Sequence, residues 1–225
     1  MSRRGKFITF EGLDGTGKST QLRKLAAALR AAGHVVVETR EPGGTATGEK
    51  IRRILLDSKT TGLTSGSEMA LMFASRAQHL AEVIEPALAD GKILLCDRFT
   101  DSTEAYQGHG RKLGSKVVLE LHRILCHSRQ PDLTILLDSN PAHSVGRARR
   151  RNQRKAEGHH AHADENRFEQ APRAFFARVH EGFLVIARRE PHRVALVDAR
   201  GTPSQTHVKI VELVRNRLKL TTGNG

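Results

Sequence analysis

Near its start the chain reads Gly12-Leu13-Asp14-Gly15-Thr16-Gly17-Lys18-Ser19-Thr20, which matches the pattern G-x-x-x-x-G-K-S/T. Glycines at this spacing let the backbone curl so that successive N–H groups point at phosphate oxygens. Lys18 is expected to reach the β- and γ-phosphates of a nucleoside triphosphate, and the Ser19 hydroxyl is expected to bind Mg²⁺. We therefore predict that all of residues 12–20 bind the nucleotide and that Lys18 is catalytic.

The sequence on both sides of this loop predicts an α/β fold. Apolar, β-branched runs typical of parallel strands covered on both faces occupy residues 6–11, 34–38, 92–97, 133–138 and 193–198. Helical patterns separate them, at residues 18–32, 66–90 (interrupted at Pro86), 115–127, 141–151, 167–189 and 203–218. We predict a three-layer fold of the P-loop NTPase type, in which helices flank a five-stranded parallel sheet and ligands bind at the carboxyl ends of the strands.

The composition of the chain indicates the cellular compartment to expect for the protein. The sequence contains no apolar run approaching the roughly 20 residues of a membrane span. No signal peptide is recognised at the N-terminus. Cys96 and Cys126 are the two cysteines, and both lie in apolar patterns that suit small buried side chains in a reducing compartment. We expect a cytoplasmic protein without a membrane partner.

The net charge of +13 admits two interpretations, a nucleic-acid surface or a site for small polyanions. The densest basic cluster contains Arg147, Arg149, Arg150, Arg151, Arg154 and Lys155. The sequence has one Tyr and no Trp, so basic residues are not interleaved with stacking aromatics. This composition favours small polyanionic substrates, with a nucleic-acid-binding P-loop ATPase as the alternative.

Four further segments narrow the reaction: Thr39-Arg40-Glu41-Pro42-Gly43-Gly44-Thr45, Met72-Phe73-Ala74-Ser75-Arg76-Ala77-Gln78, Asp97-Arg98-Phe99-Thr100-Asp101-Ser102-Thr103-Glu104-Ala105-Tyr106-Gln107-Gly108 and Asn166-Arg167-Phe168-Glu169. With Glu11-Gly12-Leu13-Asp14, they resemble the thymidylate kinase family from about residue 6 to residue 198. The resemblance implies transfer of the γ-phosphoryl group of ATP to dTMP, giving dTDP on the route to dTTP. It also implies Mg²⁺ as cofactor, one domain over residues 1–225, and a homodimer with no nucleic-acid partner.

The resemblance assigns three residues to the sugar and phosphate of dTMP. Asp14 matches an acid that approaches the 3′-hydroxyl, although this position of the general loop pattern is free to vary. Arg40 and Arg98 match arginines that bind the acceptor phosphate, and Arg98 is expected to be catalytic. Taken alone, Arg40 would more often be a surface charge.

Five further residues match positions around the base and the deoxyribose. Phe73 would stack on thymine and Arg76 would donate to its carbonyl edge, while a core position remains the alternative for Phe73. Ser102, Tyr106 and Gln107 would line the sugar and the base. Tyr106 would also crowd the 2′ side and so disfavour ribonucleotides.

The resemblance also implies a metal site and a lid at about residues 147–168. Asp97 and Ser19 would bind Mg²⁺, with Glu169 as a further ligand. The variable positions of the loop contain no arginine, so transition-state charge is expected from lid residues Arg147, Arg149 and Arg151, with Arg150 and Arg154 as near competitors.

The lid departs from the family pattern in two places. Residues 154–164 look like an insertion, and Asn166 replaces a usual acid. The insertion contains His159, His160 and His162, but no further Cys or His completes a metal site, so these side chains are expected to be solvated. A kinase for another monophosphate or for a deoxynucleoside remains a second alternative to dTMP phosphorylation.

Overall fold

A five-stranded parallel sheet forms the centre of the computed structural model, which describes residues 4–157 and 167–223, with only the backbone described at 151–157. Its strands are β1 (Lys6–Glu11), β2 (Val36–Arg40), β3 (Ile93–Asp97), β4 (Leu133–Asp138) and β5 (Val194–Asp198). The strand order is β2-β3-β1-β4-β5. The sheet predicted from the sequence is therefore confirmed, as are the full bounds of β1 and β4.

Nine α-helices are described in the same ranges: α1 (Lys18–Ala31), α2 (Ala46–Leu56), α3 (Ser65–His79), α4 (Glu85–Ala89), α5 (Thr100–Thr103), α6 (Ser115–Leu125), α7 (Pro141–Glu157), α8 (Arg173–Arg189) and α9 (Pro203–Leu218). Two π-helical segments, Leu80–Ile84 and Glu104–Gly110, continue α3 and α5, and Phe168–Gln170 is a short 3-10 helix. Within the described ranges, no helix combines the length and apolar character needed to cross a bilayer.

Helices cover both faces of the sheet. On one face, Ile8 and Phe10 of β1 pack with Leu25 of α1 and Ile210 of α9. On the other, Phe7 of β1 packs in a cluster that includes residues of α3 and α6. Because β1 lies between β3 and β4, its carboxyl end and the loop after it open beside the ends of both neighbours. This arrangement is the predicted three-layer architecture.

Three predicted helices differ from the observed ones. The predicted helix 167–189 is broken, because Pro172 disfavours helical backbone at Ala171, which is extended with ψ 149°, and α8 begins at Arg173. The long helix predicted over residues 66–90 is not interrupted at Pro86, since α4 starts at Glu85 and the π-helical turn lies just before it. The helix predicted to end at Arg151 continues to Glu157, so the backbone of 147–157 is helical.

Helix α2 has no counterpart in the sequence prediction. It begins at a capped position, where the Thr45 side chain accepts a hydrogen bond from the Gly48 N–H. The helix packs against α3 over the loop that follows β2. It thereby places a carboxylate, Glu49, beside that loop.

Candidate active site

Residues 12–20, the phosphate-binding loop, curl between β1 and α1. Gly12, Gly15 and Gly17 have positive φ angles of 127°, 82° and 102°. A Cβ at Gly12 would lie 2.5 Å from the Leu137 carbonyl oxygen, and one at Gly15 would lie 2.1 Å from that of Ser144. Glycine is therefore required at both positions, for backbone conformation and because β4 and α7 approach closely.

Lys18 points back into this loop. Its side chain is buried, and its Nζ donates to the carbonyl oxygens of Gly12 and Leu13, at 3.0 Å each. Burial, with the positive charge of Arg98, lowers the pKa of Lys18 to about 8. The ammonium is thus held inside the loop whose N–H groups are suited to phosphate oxygens.

Ser19 and Asp97 lie together where β3 ends beside the start of α1. The Ser19 hydroxyl donates to Asp97 Oδ2 at 2.7 Å. A hydroxyl and a carboxylate are the hard oxygen ligands that Mg²⁺ prefers, and two such ligands beside a nucleotide site are typical of Mg²⁺ that also binds phosphates. The third predicted ligand, Glu169, is buried in the 3-10 helix Phe168–Gln170. In the described part of the chain, no group of three or more His, Cys, Asp or Glu side chains could hold a metal.

Four predicted acceptor residues come together around Arg98. Arg98 Nη2 donates to Asp14 Oδ1 at 2.7 Å, and Nη1 donates to Ser102 Oγ at 2.8 Å. The guanidinium carbon lies 5.1 Å from the centre of the Tyr106 ring, whose hydroxyl donates to Asp14 Oδ2 at 3.3 Å. The Arg98 side chain is 15% exposed, so it is oriented by these partners and still reaches the surface. The structure therefore joins Asp14, Arg98, Ser102 and Tyr106 in one cluster.

Arg40, at the end of β2, is held by a residue that the sequence interpretation missed. Its Nη2 lies 3.0 Å from Glu49 Oε2, and Glu49 Oε1 accepts from the Gly44 N–H at 3.1 Å. The Arg40 side chain is 52% exposed. Glu49 belongs to α2, so only recognition of that helix could have indicated this contact.

The guanidinium of Arg76 is buried, and one of its terminal nitrogens has no hydrogen-bond partner among the described residues. Its Nε donates to Glu41 Oε2 at 2.7 Å and its Nη2 donates to Thr103 Oγ1 at 2.9 Å. Burial raises the pKa of Glu41, but the charge of Arg76 and the contact with His79 outweigh it, and the pKa lies below its usual value. Among the described residues, Arg76 Nη1 has no hydrogen-bond partner.

Phe73 is fully buried and packs with Phe7 and Phe99 in the core beneath the sheet. The Arg76 guanidinium lies 5.0 Å from its ring centre. Stacking of thymine on Phe73 stays a prediction. The preceding residue, Met72, instead packs against the cluster that contains Tyr106. The resemblance assigned a role to Phe73 and none to Met72.

Gln107 lies in the π-helical segment after α5 and is 1% exposed. Its Nε2 donates to Glu68 Oε1 at 2.8 Å, which assigns the amide orientation because a carboxylate only accepts. Gln107 Oε1 is buried without a hydrogen-bond partner among the described residues. Glu68, also missed from the sequence, additionally pairs with Arg111 at 3.1 Å and Arg167 at 2.8 Å.

The lid arginines are only partly described. Arg147 and Arg150 are exposed on α7. Arg149 Nε and Nη2 donate to the Glu169 carbonyl oxygen at 3.0 and 2.8 Å, which ties α7 to the 3-10 helix. The predicted roles of other residues lie outside the described side chains: Arg151, Arg154, Lys155, His159, His160, His162 and Asn166. Since α7 touches Gly15 through Ser144, Arg147 lies one turn from the phosphate-binding loop.

The parallel sheet and its phosphate-binding loop define a P-loop nucleotide-binding protein. A family model described as "Thymidylate kinase" matches residues 10–210. The chain belongs to the thymidylate kinase family.

Known proteins are similar to this chain over most of its length. A thymidylate kinase of Geobacter sulfurreducens is 46% identical over 215 residues, which cover 95% of this chain and 98% of that protein. A thymidylate kinase of Solidesulfovibrio magneticus is 49% identical over 197 residues, covering 88% and 92%. A crystal structure of thymidylate kinase from Ehrlichia chaffeensis is 32% identical with a TM-score of 0.71, covering 94% of this chain and 99% of that one.

Proposed function

We propose that this chain transfers the γ-phosphoryl group of ATP to dTMP and releases dTDP, on the route to dTTP. ATP is bound by residues 12–20 and dTMP is bound where β2, β3 and α3 meet. The whole chain, residues 1–225, acts as one domain with a lid at about 147–168. Family membership and the residues gathered around Arg98 support this reaction.

The observation that carries the acceptor assignment is a pair of buried polar groups without partners. Among the described residues, Arg76 Nη1 is an unpaired donor and Gln107 Oε1 is an unpaired acceptor. Leaving such groups unsatisfied costs about 1–3 kcal/mol each, so a ligand that satisfies both is favoured. Thymine presents a carbonyl oxygen beside an N–H on one edge, and these are the acceptor that Arg76 Nη1 lacks and the donor that Gln107 Oε1 lacks. Cytosine presents the reverse pattern there.

Phosphoryl transfer here depends on alignment and charge. The attacking phosphate oxygen of dTMP is largely ionised at neutral pH, because the second pKa of a phosphate monoester is about 6. No general base is therefore required. Lys18 binds the donor phosphates while Arg40 and Arg98 bind the acceptor phosphate, so two polyanions are brought into line. Asp14, Ser102 and Tyr106 act on the sugar side and on the orientation of Arg98.

Mg²⁺ is the proposed cofactor. Ser19 and Asp97 would hold it, with Glu169 as a further candidate, and it would neutralise charge on the donor phosphates. The remaining charge comes from among the lid residues Arg147, Arg149 and Arg151, since the loop itself has no arginine.

The protein acts as a homodimer in the cytoplasm. Helix α6 exposes Val117 and Ile124, seven residues apart on one face, at 46% and 51%. A second copy of the chain is the proposed cover for this stripe. Cys96 and Cys126 are free and buried, in keeping with a reducing compartment.

An acceptor panel tests the reaction. With ATP as donor, phosphorylation of dTMP should exceed that of dCMP, UMP, AMP and GMP by at least about 100-fold in kcat/KM. Lys18→Ala should lower kcat by about 10³-fold or more, because the variant lacks the charge on the β- and γ-phosphates. Circular dichroism and thermal melting serve to show that Lys18→Ala is folded.

A matched control is Lys50→Ala, which removes an exposed lysine of α2 and should leave the rates unchanged. Preference for another monophosphate would overturn the assignment of dTMP. Near-normal turnover in folded Lys18→Ala would overturn the assignment of the donor site.

A further inference from the structure

Glu11, the last residue of β1, is a fully buried carboxylate next to the phosphate-binding loop. It accepts hydrogen bonds from the Phe99 N–H at 2.7 Å and the Ser102 N–H at 3.3 Å. The Ser102 hydroxyl donates to its other oxygen at 2.5 Å. These contacts cross from β1 to the start of α5, which has no side-chain cap of its own.

The same hydroxyl connects Glu11 to Arg98. A guanidinium only donates, so Ser102 Oγ accepts from Arg98 Nη1, at 2.8 Å, and its own hydrogen is directed at Glu11. Asp14 holds the other terminal nitrogen of Arg98. Arg98 is therefore oriented from two sides, on one side directly and on the other through Ser102.

The backbone at Arg98 also needs support. Its φ angle is 74°, in the left-handed region that costs free energy for a residue with a Cβ. The chain leaves β3 there and turns into α5, and the N–H groups at positions 99 and 102 are both taken up by Glu11. Glu11 thus holds the turn as well as the side chain.

The stability of this turn does not by itself require a charged side chain at Glu11, because a neutral side chain of the same shape could also accept from its N–H groups. Burial, and the nearby negative charge of Asp101, raise the pKa of Glu11 to about 7. Asp101 itself is paired with Arg193, and the charge of Arg98 with the hydrogen bonds from Ser102 and Phe99 offsets only part of this rise in pKa. An anion held here costs free energy that a neutral side chain of the same shape would avoid. What the carboxylate adds is a strong acceptor for the chain of hydrogen bonds that ends at Arg98.

We propose that Glu11 is a positioning residue for phosphoryl transfer, which acts through Ser102 to hold Arg98 in the orientation that binds the phosphate of dTMP. This inference rests on the proposed function, because Arg98 is assigned there to the acceptor phosphate. It differs from a structural role for Glu11, since its effect has to pass through Arg98.

A double-mutant cycle tests this dependence. In wild-type background, Glu11→Gln should lower kcat/KM for dTMP about 10-fold or more and leave KM for ATP within about twofold, because a charge-assisted hydrogen bond is lost on the acceptor side alone. In an Arg98→Ala background, adding Glu11→Gln should change kcat/KM for dTMP by less than about twofold. Isothermal titration of dTMP against each variant reports the same coupling without turnover.

Glu104→Gln is the matched control. Glu104 is also a buried glutamate, and it holds Arg189 through two contacts of 2.7 Å. Its replacement should lower the melting temperature without a selective loss of dTMP affinity. This control separates the removal of a buried carboxylate from the removal of support for Arg98.

Additive losses from Glu11→Gln and Arg98→Ala, or a wild-type value for Glu11→Gln, would overturn the inference. If Glu11→Gln does not fold, Ser102→Ala carries the test, because it breaks the link and leaves both backbone contacts of Glu11 intact. Because Ser102 is also assigned to the sugar, its effect is measured as the ratio of the Kd for thymidine to the Kd for dTMP, in which a lost sugar contact cancels. Ser102→Ala should lower this ratio when Arg98 is present and leave it unchanged in the Arg98→Ala background; an unchanged ratio with Arg98 present counts against the inference. Failure of the proposed function itself would appear earlier, as a wild-type protein that does not phosphorylate dTMP.

Discussion

At the scale of single residues, each arginine on the acceptor side is held by a carboxylate. Asp14 holds Arg98 at 2.7 Å, and Glu41 holds Arg76 at 2.7 Å. When a guanidinium is already oriented before the substrate binds, its reorganisation on binding costs little free energy. The carboxylates therefore contribute to the site by orienting the arginines.

Substitutions of Arg76 and of Arg98 should affect the kcat/KM values in different ways. Arg76→Lys keeps a positive charge near Glu41 but removes the Nη1 donor, so the ratio of kcat/KM for dTMP over dCMP should fall about 10-fold or more. The measurement is initial rates with both acceptors. An unchanged ratio would show that Arg76 does not read the base.

Arg98→Ala is the comparison for this prediction. Every monophosphate acceptor carries the group that Arg98 is proposed to bind, so dTMP and dCMP should lose efficiency in equal proportion. A change of base preference in Arg98→Ala would mean that the two arginines have been assigned to the wrong parts of the acceptor.

At the scale of elements, α7 connects the phosphate-binding loop to the 3-10 helix Phe168–Gln170. Ser144 packs against Gly15 near the start of this helix, and Arg149 holds the Glu169 carbonyl oxygen further along. Because the helix runs through the arginine cluster, arginines at spacings of two residues point in different directions, about 200° apart. Arg147 and Arg149 therefore cannot both face one phosphate while the helix stays regular.

Removal of the positive charges in the proposed lid should slow the phosphoryl-transfer step more than it weakens the binding of dTMP. Replacement of Arg147, Arg149 and Arg151 by alanine should lower the single-turnover rate about 100-fold or more and leave the Kd for dTMP within a few-fold, because transition-state charge is lost. Rapid-quench kinetics and a dTMP titration provide the two numbers. A single-turnover rate equal to that of the wild type would remove the lid from the mechanism.

A control with the same loss of charge is the triple alanine variant of Arg30, Arg188 and Arg217, which are exposed elsewhere. Its single-turnover rate should match the wild type. If the lid variant instead loses only salt-sensitive binding of DNA or RNA, the cluster is a nucleic-acid surface.

At the scale of the whole molecule, the order of the strands brings the residues of the candidate site together. With β1 between β3 and β4, the loop after β1 opens next to Asp97 on one side and next to Leu137 on the other. Residues 19 and 97 are 78 positions apart in the chain, yet their side chains share a hydrogen bond. The site depends on this order, since another arrangement of the same five strands would separate these ends.

The exposed stripe of α6 leads to a prediction about assembly. The 24.8 kDa chain should sediment at twice this mass, and Val117→Asp with Ile124→Asp should return it to the monomer mass, because a buried charge in an apolar interface is costly. Val208→Asp, at a residue of α9 that is 66% exposed, is the control and should leave the dimer intact. Sedimentation equilibrium measures all three, and a monomeric wild type would contradict the prediction.

The sequence by itself determined the sheet, the phosphate-binding loop and the family. Continuous apolar runs and a glycine pattern are local signals, so strands such as Lys6–Glu11 were recognisable without any long-range contact. It also indicated the cluster of Asp14, Arg98, Ser102 and Tyr106, through its resemblance to known kinases.

Only the tertiary structure decided which side chains pack together. Phe73 and Met72 are neighbours in one helix, and helical periodicity cannot say which of two apolar faces meets the core and which meets Tyr106. The supporting roles of the buried acids Glu11 and Glu41 had no local signal either, because a carboxylate is identified as a support only by the arginine or the N–H groups brought to it from another element. Such partners are distant in sequence, and packing alone brings them together.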